Sequence, residues 1–212
     1  MSNRGPIIYI VDDDISVCRA LSLLLRSHGF KVQTFMRAAD FLAFKHLKLP
    51  SCLVLDVQLP DINGLLLQEV MERKGISIPI IFITGHGDIP MSVKGMKAGA
   101  VDFIPKPFAK KKILDAITLA IVRNKAQIKE QAAISKIKRR VNSLSRRELE
   151  VFRLVAKGML SKQIARKLGT ALQTIKVHRG RVMQKMQAKT ITELIRFAQK
   201  AGLASLPALS KP

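Results

Sequence analysis

The sequence lacks long apolar runs. None approaches the roughly 18 residues that a membrane-spanning helix needs, and the first apolar stretch, Pro6–Val11, leads directly into three aspartates at positions 12 to 14. A secretory signal peptide would not end in this way. We therefore expect a cytoplasmic protein.

Cysteine is scarce as well. The two cysteines, Cys18 and Cys52, lie within apolar patterns, and their spacing is not that of metal ligands. Buried thiols are therefore predicted in preference to a disulfide. Hydrophobic residues make up 48% of the 212 residues, which is sufficient for packed cores.

Acidic residues are few, 15 against 37 Lys and Arg, and they are unevenly distributed. Residues 1–108 hold 12 basic and 10 acidic residues, whereas residues 109–142 hold 10 and 2, and residues 143–212 hold 15 and 3. Of the net charge of +22, all but +2 therefore lies in the C-terminal half. This asymmetry favours a polyanionic partner, nucleic acid or a membrane surface, over a basic surface that serves only solubility.

The first 108 residues alternate short apolar runs with helical patterns. Strands are predicted at Ile7–Val11, Phe30–Phe35, Cys52–Leu55, Ile78–Ile83 and Ala100–Ile104. Strands that alternate with helices form a parallel sheet covered on both faces. We expect an α/β domain over residues 1–108, with a five-stranded doubly wound parallel sheet in the order 2-1-3-4-5.

Glycine and proline are absent from Phe108 to Lys157. This absence predicts a helix from Lys110 to about Val141, so that residues 109–142 are a last helix continuing into a basic helical linker. A small all-α domain is predicted over residues 143–212.

The start of the all-α domain is marked by Ser145 and Glu148, which have the spacing of a helix capping box. Gly158 and Gly169 are predicted to end its first two helices as left-handed caps.

Carboxylates follow two neighbouring strands of the predicted sheet. Asp12 and Asp13 end the first strand and Asp56 ends the third, so the three side chains should converge at the edge where such sheets bind ligands. Their mutual repulsion is relieved by a hard divalent cation. The sequence therefore predicts a Mg²⁺ site, with Mn²⁺ as a substitute, while Asp14 is expected to cap the first helix.

Two further strand ends complete this predicted pocket. Thr84 ends the fourth strand and Lys106 follows the fifth. A hydroxyl, an ammonium and a metal ion around one carboxylate form a cradle for a phosphoryl group in transfer. In this interpretation Asp56 is the oxygen nucleophile.

The same residues carry a family resemblance. Residues 7–108 resemble the flavodoxin-like receiver domain of two-component response regulators, and the runs Thr84-Gly-His-Gly-Asp-Ile-Pro-Met91 and Lys106-Pro-Phe108 resemble the FixJ/NarL family. The resemblance implies that Asp56 is the phosphoacceptor, modified by a sensor histidine kinase.

The resemblance also assigns the remaining pocket residues. It implies that Asp13 binds Mg²⁺ directly, that Asp12 acts largely through water, and that the backbone carbonyl of Gln58 is a further ligand. Thr84 and Lys106 would bind the phosphoryl group, and Lys106–Pro107 would be a cis peptide bond. Thr84 and Phe103 match the switch positions, although Phe103 lacks the hydroxyl of a tyrosine.

A basic helix is predicted near 171–186. Ile175, Val182, Met183 and Met186 recur at helical spacing and should face the core. A polar stripe formed by Gln173, Lys176, Gly180 and Gln184 lies opposite, with Val177 beside it and Arg179, Arg181 and Lys185 along its flanks. Such a helix suits a major groove, in which the stripe meets base edges and the flanks meet phosphates.

Residues 143–204 resemble the LuxR-type helix-turn-helix. The matching runs are Leu144-Ser-Arg-Arg-Glu148, Lys162-Gln-Ile-Ala165 and Thr174-Ile-Lys-Val-His178. The resemblance implies that Lys176 and Val177 approach bases. It also implies phosphate contacts from Lys162, Thr174, Arg179 and Arg181. The sequence departs from the pattern at Gly180, which has no side chain to read a base.

Together the two resemblances imply a transcriptional regulator that binds promoter DNA when Asp56 is phosphorylated and that has no membrane partner. Because no separate substrate is implied, we do not expect an enzyme. Two alternatives stay open: a phosphohydrolase with an aspartyl nucleophile, to which Asp12-Asp13-Asp14-Ile15 fits poorly, and an RNA-binding regulator.

Phosphorylation is expected to pair two protomers through residues 88–104. Apolar contacts are predicted from Met91, Val93, Met96 and Ala100, and reciprocal ion pairs from Lys94, Lys97 and Asp102. The alternative is that the apolar side chains pack on their own sheet.

Overall fold

The computed structural model describes residues 5–45, 47–85 and 89–203. Two compact units divide between Ile128 and Lys129. The predicted motif residues His86, Gly87 and Asp88 lie outside the described residues. None of the helices within the described ranges is long and apolar enough to cross a membrane.

The first unit has five strands: β1 (Ile7–Val11), β2 (Lys31–Phe35), β3 (Ser51–Asp56), β4 (Ile80–Thr84) and β5 (Asp102–Pro105). Between them lie the helices α1 (Ile15–Ser27), α2 (Ala38–Ala43), α3 (Gly64–Arg73) and α4 (Ile89–Lys97). The helix α5 (Lys110–Asn142) follows β5. The strand order β2-β1-β3-β4-β5, with all neighbours parallel, confirms the predicted doubly wound sheet.

The sheet is buried on both faces. One core lies between α1, α5 and the sheet and includes Ile10, Leu25 and Ile117, whereas the other includes Tyr9, Phe41 and Phe82. This double burial explains why β3 and β4 read as continuous apolar runs in the sequence. The register of strand pairing aligns the strand ends, because Val11 pairs with Leu55 and Thr84 pairs with Pro105.

Local signals fix where helices begin. The side chain of Asp14 accepts hydrogen bonds from the backbone N–H groups of Ser16 and Val17, as predicted for the cap of α1.

Cys18 and Cys52 are buried free thiols, which confirms the prediction of buried thiols in preference to a disulfide. Burial raises the pKa of Cys18 to about 11 and also raises that of Cys52.

In the described part of the second unit, four helices follow the end of α5: α6 (Arg146–Ala156), α7 (Ser161–Lys167), α8 (Leu172–Met186) and α9 (Ile191–Lys200). Ser145 and Glu148 form the predicted capping box at the start of α6. Gly158 and Gly169 both have positive φ, at 79° and 58°, as the predicted left-handed caps require. The core of this unit is built around Phe152, Ile175 and Leu194.

Candidate functional site

Three carboxylates meet at the carboxyl edge of the sheet. Ligand oxygens of Asp12, Asp13 and Asp56 all lie within 4.8 Å of one another. Asp12 and Asp56 are buried and Asp13 is exposed, so the cluster opens to solvent on one side. The parallel pairing of β1 with β3 is what brings them together.

Lys106 lies between two of these carboxylates. Its ammonium donates a hydrogen bond of 2.7 Å to Asp12 Oδ2 and one of 3.0 Å to Asp56 Oδ2. The ammonium therefore offsets part of the negative charge that the three aspartates concentrate here.

Burial and hydrogen bonding compete in shifting the pKa values of Asp12 and Lys106. Burial raises the pKa of Asp12 by more than the hydrogen bond from Lys106 lowers it. Burial by itself would lower the pKa of Lys106, but its hydrogen bonds to Asp12 and Asp56 outweigh that effect and raise it. Lys106 is therefore a cation at neutral pH, and it is hydrogen-bonded to Asp56, the carboxylate predicted from the sequence to be the nucleophile.

The other predicted pocket residues lie around this centre. Thr84 is buried at the end of β4, and its carbonyl accepts a 2.7 Å hydrogen bond from the backbone N–H of Lys106. The backbone N–H of Gln58 donates to Asp56 Oδ1 at 3.3 Å. Phe103 is half-buried, with its ring centroid 5.7 Å from that of Phe82. The peptide bond between Lys106 and Pro107 is cis, as the resemblance implies, and Leu49–Pro50 is also cis.

Gly64 adjoins this site, and the sequence did not predict it there. Its backbone N–H donates to the carbonyl of Val57 at 2.8 Å, which closes the loop after β3. A Cβ at this position would lie 2.4 Å from the carbonyl oxygen of Asp56. The start of α3 can therefore dock on the backbone of Asp56 only because residue 64 has no side chain. A glycine at a helix start carries no sequence signal for such a contact.

The second unit exposes the predicted DNA-binding surface. The residues of this surface that are exposed are Lys162, Thr174, Lys176, Val177, Gly180 and Arg181. Ile175, Val182 and Met186 are fully buried beneath them, as predicted. A Cβ on Gly180 would meet nothing within 4 Å, so this position leaves open space in the stripe.

Two of the predicted flanking cations have partners within the unit. Arg179 is half-buried and donates a 2.6 Å hydrogen bond to Ser161 Oγ. The ammonium of Lys185 donates to Glu148 Oε2 at 2.7 Å and to the carbonyl of Ser143 at 3.3 Å. Helical periodicity places both on the flank of α8, but Lys185 ties this helix to the start of α6.

The residues of the predicted dimer face differ in how far they are exposed. Val93 and Met96 are 44% and 45% exposed, and Lys97 is exposed. Met91 is half-buried against the second core and Ala100 is buried in it, so for Met91 the structure favours packing on its own sheet, and the predicted intermolecular contact of Ala100 is wrong.

The two other charged residues of that face have partners in their own chain. Lys94 forms a 3.3 Å ion pair with Glu69, and an oxygen of Asp102 accepts from the N–H of Phe103 at 2.8 Å. Any pairing of Lys94 across a two-fold axis would have to compete with Glu69.

Known proteins resemble the whole chain. Residues 8–118 match the response regulator receiver domain and residues 142–198 match the luxR family of bacterial regulatory proteins. Nodulation protein W of Bradyrhizobium diazoefficiens is 45% identical, over 96% of this chain and 90% of its own. The transcriptional regulatory protein FixJ of the same species is 40% identical, over 96% and 98%.

A solved structure shows the same likeness. The response regulator StyR is 42% identical with a TM-score of 0.78, and the match covers 92% of this chain and 99% of StyR. The predicted fold and the two resemblances are thereby confirmed.

Proposed function

Because this chain belongs to the FixJ-type two-component response regulators, transcriptional regulators that join a receiver domain to a LuxR-type DNA-binding domain, we propose that Asp56 is its phosphoacceptor. The receiver domain implies a kinase partner and the LuxR-type domain implies DNA. The observation that carries the proposal is the contact of the Lys106 ammonium with both Asp12 and Asp56 at the strand ends.

The donor set fits Mg²⁺. Three carboxylates offer hard oxygen ligands within one small cluster, and Mg²⁺ prefers oxygen and usually shares its coordination with a phosphate. We propose that Asp12, Asp13 and Asp56 hold it together with the backbone carbonyl of Gln58, and that Mn²⁺ can replace it. When bound, the ion offsets negative charge on the phosphoryl oxygens.

Phosphoryl transfer itself requires a nucleophile in a fixed position. An oxygen of Asp56 attacks the phosphorus of a phosphohistidine on the sensor kinase, so that a P–O bond forms as the P–N bond breaks. Lys106 is a cation already at hydrogen-bonding distance from Asp56. As the phosphoryl group is transferred, its ammonium offsets the negative charge on the phosphoryl oxygens. Thr84, at the adjoining strand end, supplies a hydroxyl to the same group. Because the acceptor is part of the protein, no separate substrate is turned over.

DNA binding is the role that we propose for the second unit. We propose that the exposed stripe of α8 enters the major groove, where Lys176 and Val177 approach base edges. Lys162, Thr174, Arg179 and Arg181 would contact phosphates, which position the helix without reading sequence. The net charge of +12 over residues 143–212 favours this polyanionic partner.

Phosphorylation and DNA binding are linked through pairing of protomers. We propose that the phosphoryl group draws Thr84 and Phe103 into new positions and that α4 and β5 then form a two-fold interface. Val93 and Met96 provide the exposed apolar area, and Lys97 and Asp102 lie beside them. Exposed ion pairs contribute only about 0–1 kcal/mol each, so the apolar contact must supply most of the affinity.

The experiment is phosphorylation by acetyl phosphate, followed by intact-mass measurement with and without Mg²⁺. We expect one phosphoryl group, dependent on Mg²⁺, which is absent in Asp56→Ala and present in Asp115→Ala, an exposed acidic control. Persistent phosphorylation of Asp56→Ala would overturn the assignment.

A further inference from the structure

The last turns of α5 belong to the core of the DNA-binding unit. Ile137 is 5% exposed within the same cluster as Phe152 and Ile175, and Val141 packs against that cluster. The luxR family match begins only at residue 142. The unit therefore includes helical turns that its family description leaves out and that the sequence presents as a linker.

Arg140, in this segment, contacts the end of α8. Its guanidinium donates a 3.1 Å hydrogen bond to the carbonyl of Met186 and a second hydrogen bond to the side-chain oxygen of Gln187. The last carbonyls of a helix have no partners within it, and a cation there is favoured by the helix dipole. Arg140 thus satisfies a group that α8 cannot satisfy itself.

Gln187, whose side chain accepts a hydrogen bond from Arg140, has an unusual backbone conformation. Gln187 is the only non-glycine residue with positive φ among the described residues, at φ 51° and ψ 41°. This left-handed conformation is unfavourable for a residue with a Cβ and persists when its surroundings hold it. Arg140 donates one hydrogen bond to the carbonyl of the residue before Gln187 and another to the Gln187 side chain. It therefore contacts both residues at which α8 ends.

A second cation acts on the same turn. Lys185 ties α8 to Ser143 and Glu148, at the junction of α5 and α6. Glu148 is buried, and its carboxylate also accepts from the backbone N–H of Ser145 at 2.8 Å. Two side chains thus connect the last turn of α8 to the α5–α6 junction, and these contacts add to the buried face of α8 in restricting its rotation.

We infer that Arg140 is a positioning residue for DNA reading: it fixes the rotation of α8, and hence the direction of the Lys176 and Val177 stripe, without contacting DNA. The inference rests on the proposed role of α8. Arginine is required because two different nitrogens of its planar fork bond the Met186 carbonyl and the Gln187 side chain, whereas lysine offers only one nitrogen.

The test uses the full chain in the variants Arg140→Met, Arg140→Lys and Arg139→Met. Arg139 is an exposed neighbour, so Arg139→Met removes the same charge as a matched control. Affinities are measured for a duplex selected from a random pool by the parent protein and for a random duplex, across a salt series. Melting temperatures are recorded for every variant.

We expect Arg140→Lys and Arg140→Met to lose about tenfold in the ratio of selected to random affinity, the equivalent of about one charge-assisted hydrogen bond. The salt slope on random duplex should stay that of the parent in Arg140→Lys. Arg139→Met should keep the parent's ratio. If Arg140→Lys keeps the parent's ratio while Arg140→Met loses about 0.9 from the salt slope, Arg140 is a phosphate contact and the inference is wrong.

Gln187→Gly separates positioning from stability. Glycine adopts positive φ without strain, so melting temperature should not fall, yet one of the two Arg140 contacts is lost and the affinity ratio should fall. If the ratio instead follows melting temperature across all variants, Arg140 is only structural.

Lys176→Ala then shows which idea has failed. A parental ratio in Lys176→Ala would mean that α8 does not read DNA, whereas a reduced ratio there with a parental ratio in Arg140→Met would overturn only the role of Arg140.

Discussion

Lys106 and Asp56, 50 positions apart in the chain, are joined by a 3.0 Å hydrogen bond from the ammonium to the carboxylate. The lysine therefore already contacts the atom group at which we propose the phosphoryl group arrives. Its second hydrogen bond, to Asp12, holds it there before any phosphoryl group is present.

Removing this lysine should slow phosphorylation and uncouple the response from it. We expect Lys106→Ala to be phosphorylated about a hundredfold more slowly, because one preorganised cation is lost from the transition state. Where some label is retained, phosphorylation should no longer promote dimerisation. The measurement is the intact-mass time course with acetyl phosphate, followed by sedimentation. Lys110→Ala, an exposed lysine nearby, should behave as the parent, and a parental rate in Lys106→Ala would contradict the proposal.

Gly64 should be needed for phosphorylation beyond its effect on stability. A Cβ 2.4 Å from the Asp56 carbonyl must displace backbone, so we expect Gly64→Ala to reduce the phosphorylation rate by about ten- to a hundredfold. It should also cost about 1–3 kcal/mol of unfolding free energy.

The matched control for Gly64 is Gly95→Ala. The three atoms nearest to a Cβ at Gly95 belong to the side chains of Leu65 and Phe82, at 3.2–3.3 Å, and not to backbone. This variant should lose stability without the same loss of rate. Equal losses of rate in the two variants would show that the effect is general destabilisation.

Glu148 should give the second unit a defined dependence on pH. The hydrogen bonds from Lys185 and from the Ser145 backbone lower the pKa of Glu148. A lowered pKa means that the charged form stabilises the fold above the ordinary glutamate pKa, and that this contribution is lost as pH falls through the lowered value.

We expect Glu148→Gln to be less stable than the parent by about 1–3 kcal/mol at neutral pH, with the difference disappearing in acid. Calorimetry of the full chain over a pH series measures it, with Glu150→Gln as the control on the same helix. A difference that stays constant with pH would contradict the prediction.

Lys176 and Arg181 should differ in what they contribute to DNA binding. Lys176→Ala should lose about 1–3 kcal/mol of discrimination between selected and random duplexes, whereas Arg181→Ala should weaken both alike and reduce the salt slope by about 0.9. Titrations at several salt concentrations measure both quantities. Identical behaviour of the two variants would contradict the division between base and phosphate contacts.

Dimerisation on activation should depend on Met96. We expect the protein with beryllofluoride, a phosphoryl mimic, to sediment as a dimer at micromolar concentration, and Met96→Asp to remain a monomer. Leu119→Asp is the control, because Leu119 on α5 is 45% exposed, as Met96 is. If Leu119→Asp alone prevents dimerisation, the interface lies on α5, and an activated parent that stays monomeric would contradict the dimer altogether.

Much of the fold and the acidic pocket could be predicted because local signals and global topology agree. The apolar runs give the strands to within two residues, and Asp14 and Ser145 carry recognisable caps. Strand ends that lie side by side in a parallel sheet bring Asp12 and Asp56 together with no further information.

Other features depend on partners that periodicity does not identify. The helical pattern places Lys185 on a flank of α8, but only the packing of α6 shows that it meets Glu148. Likewise, the absence of glycine and proline predicts the length of α5 and not that Ile137 joins the second core. Gly64 is invisible in sequence because its role is the space it leaves.

The three consecutive aspartates after β1 have different surroundings although they are chemically the same. Asp12 is buried against Lys106, Asp13 is the exposed member of the carboxylate cluster, and Asp14 caps α1. Deleting any one of them would leave two aspartates to fill three places, with almost no change in composition or charge. The junction of β1 and α1 is therefore intolerant of insertion and deletion: here chain length, counted to the single residue, is as much a part of the site as the identity of the side chains.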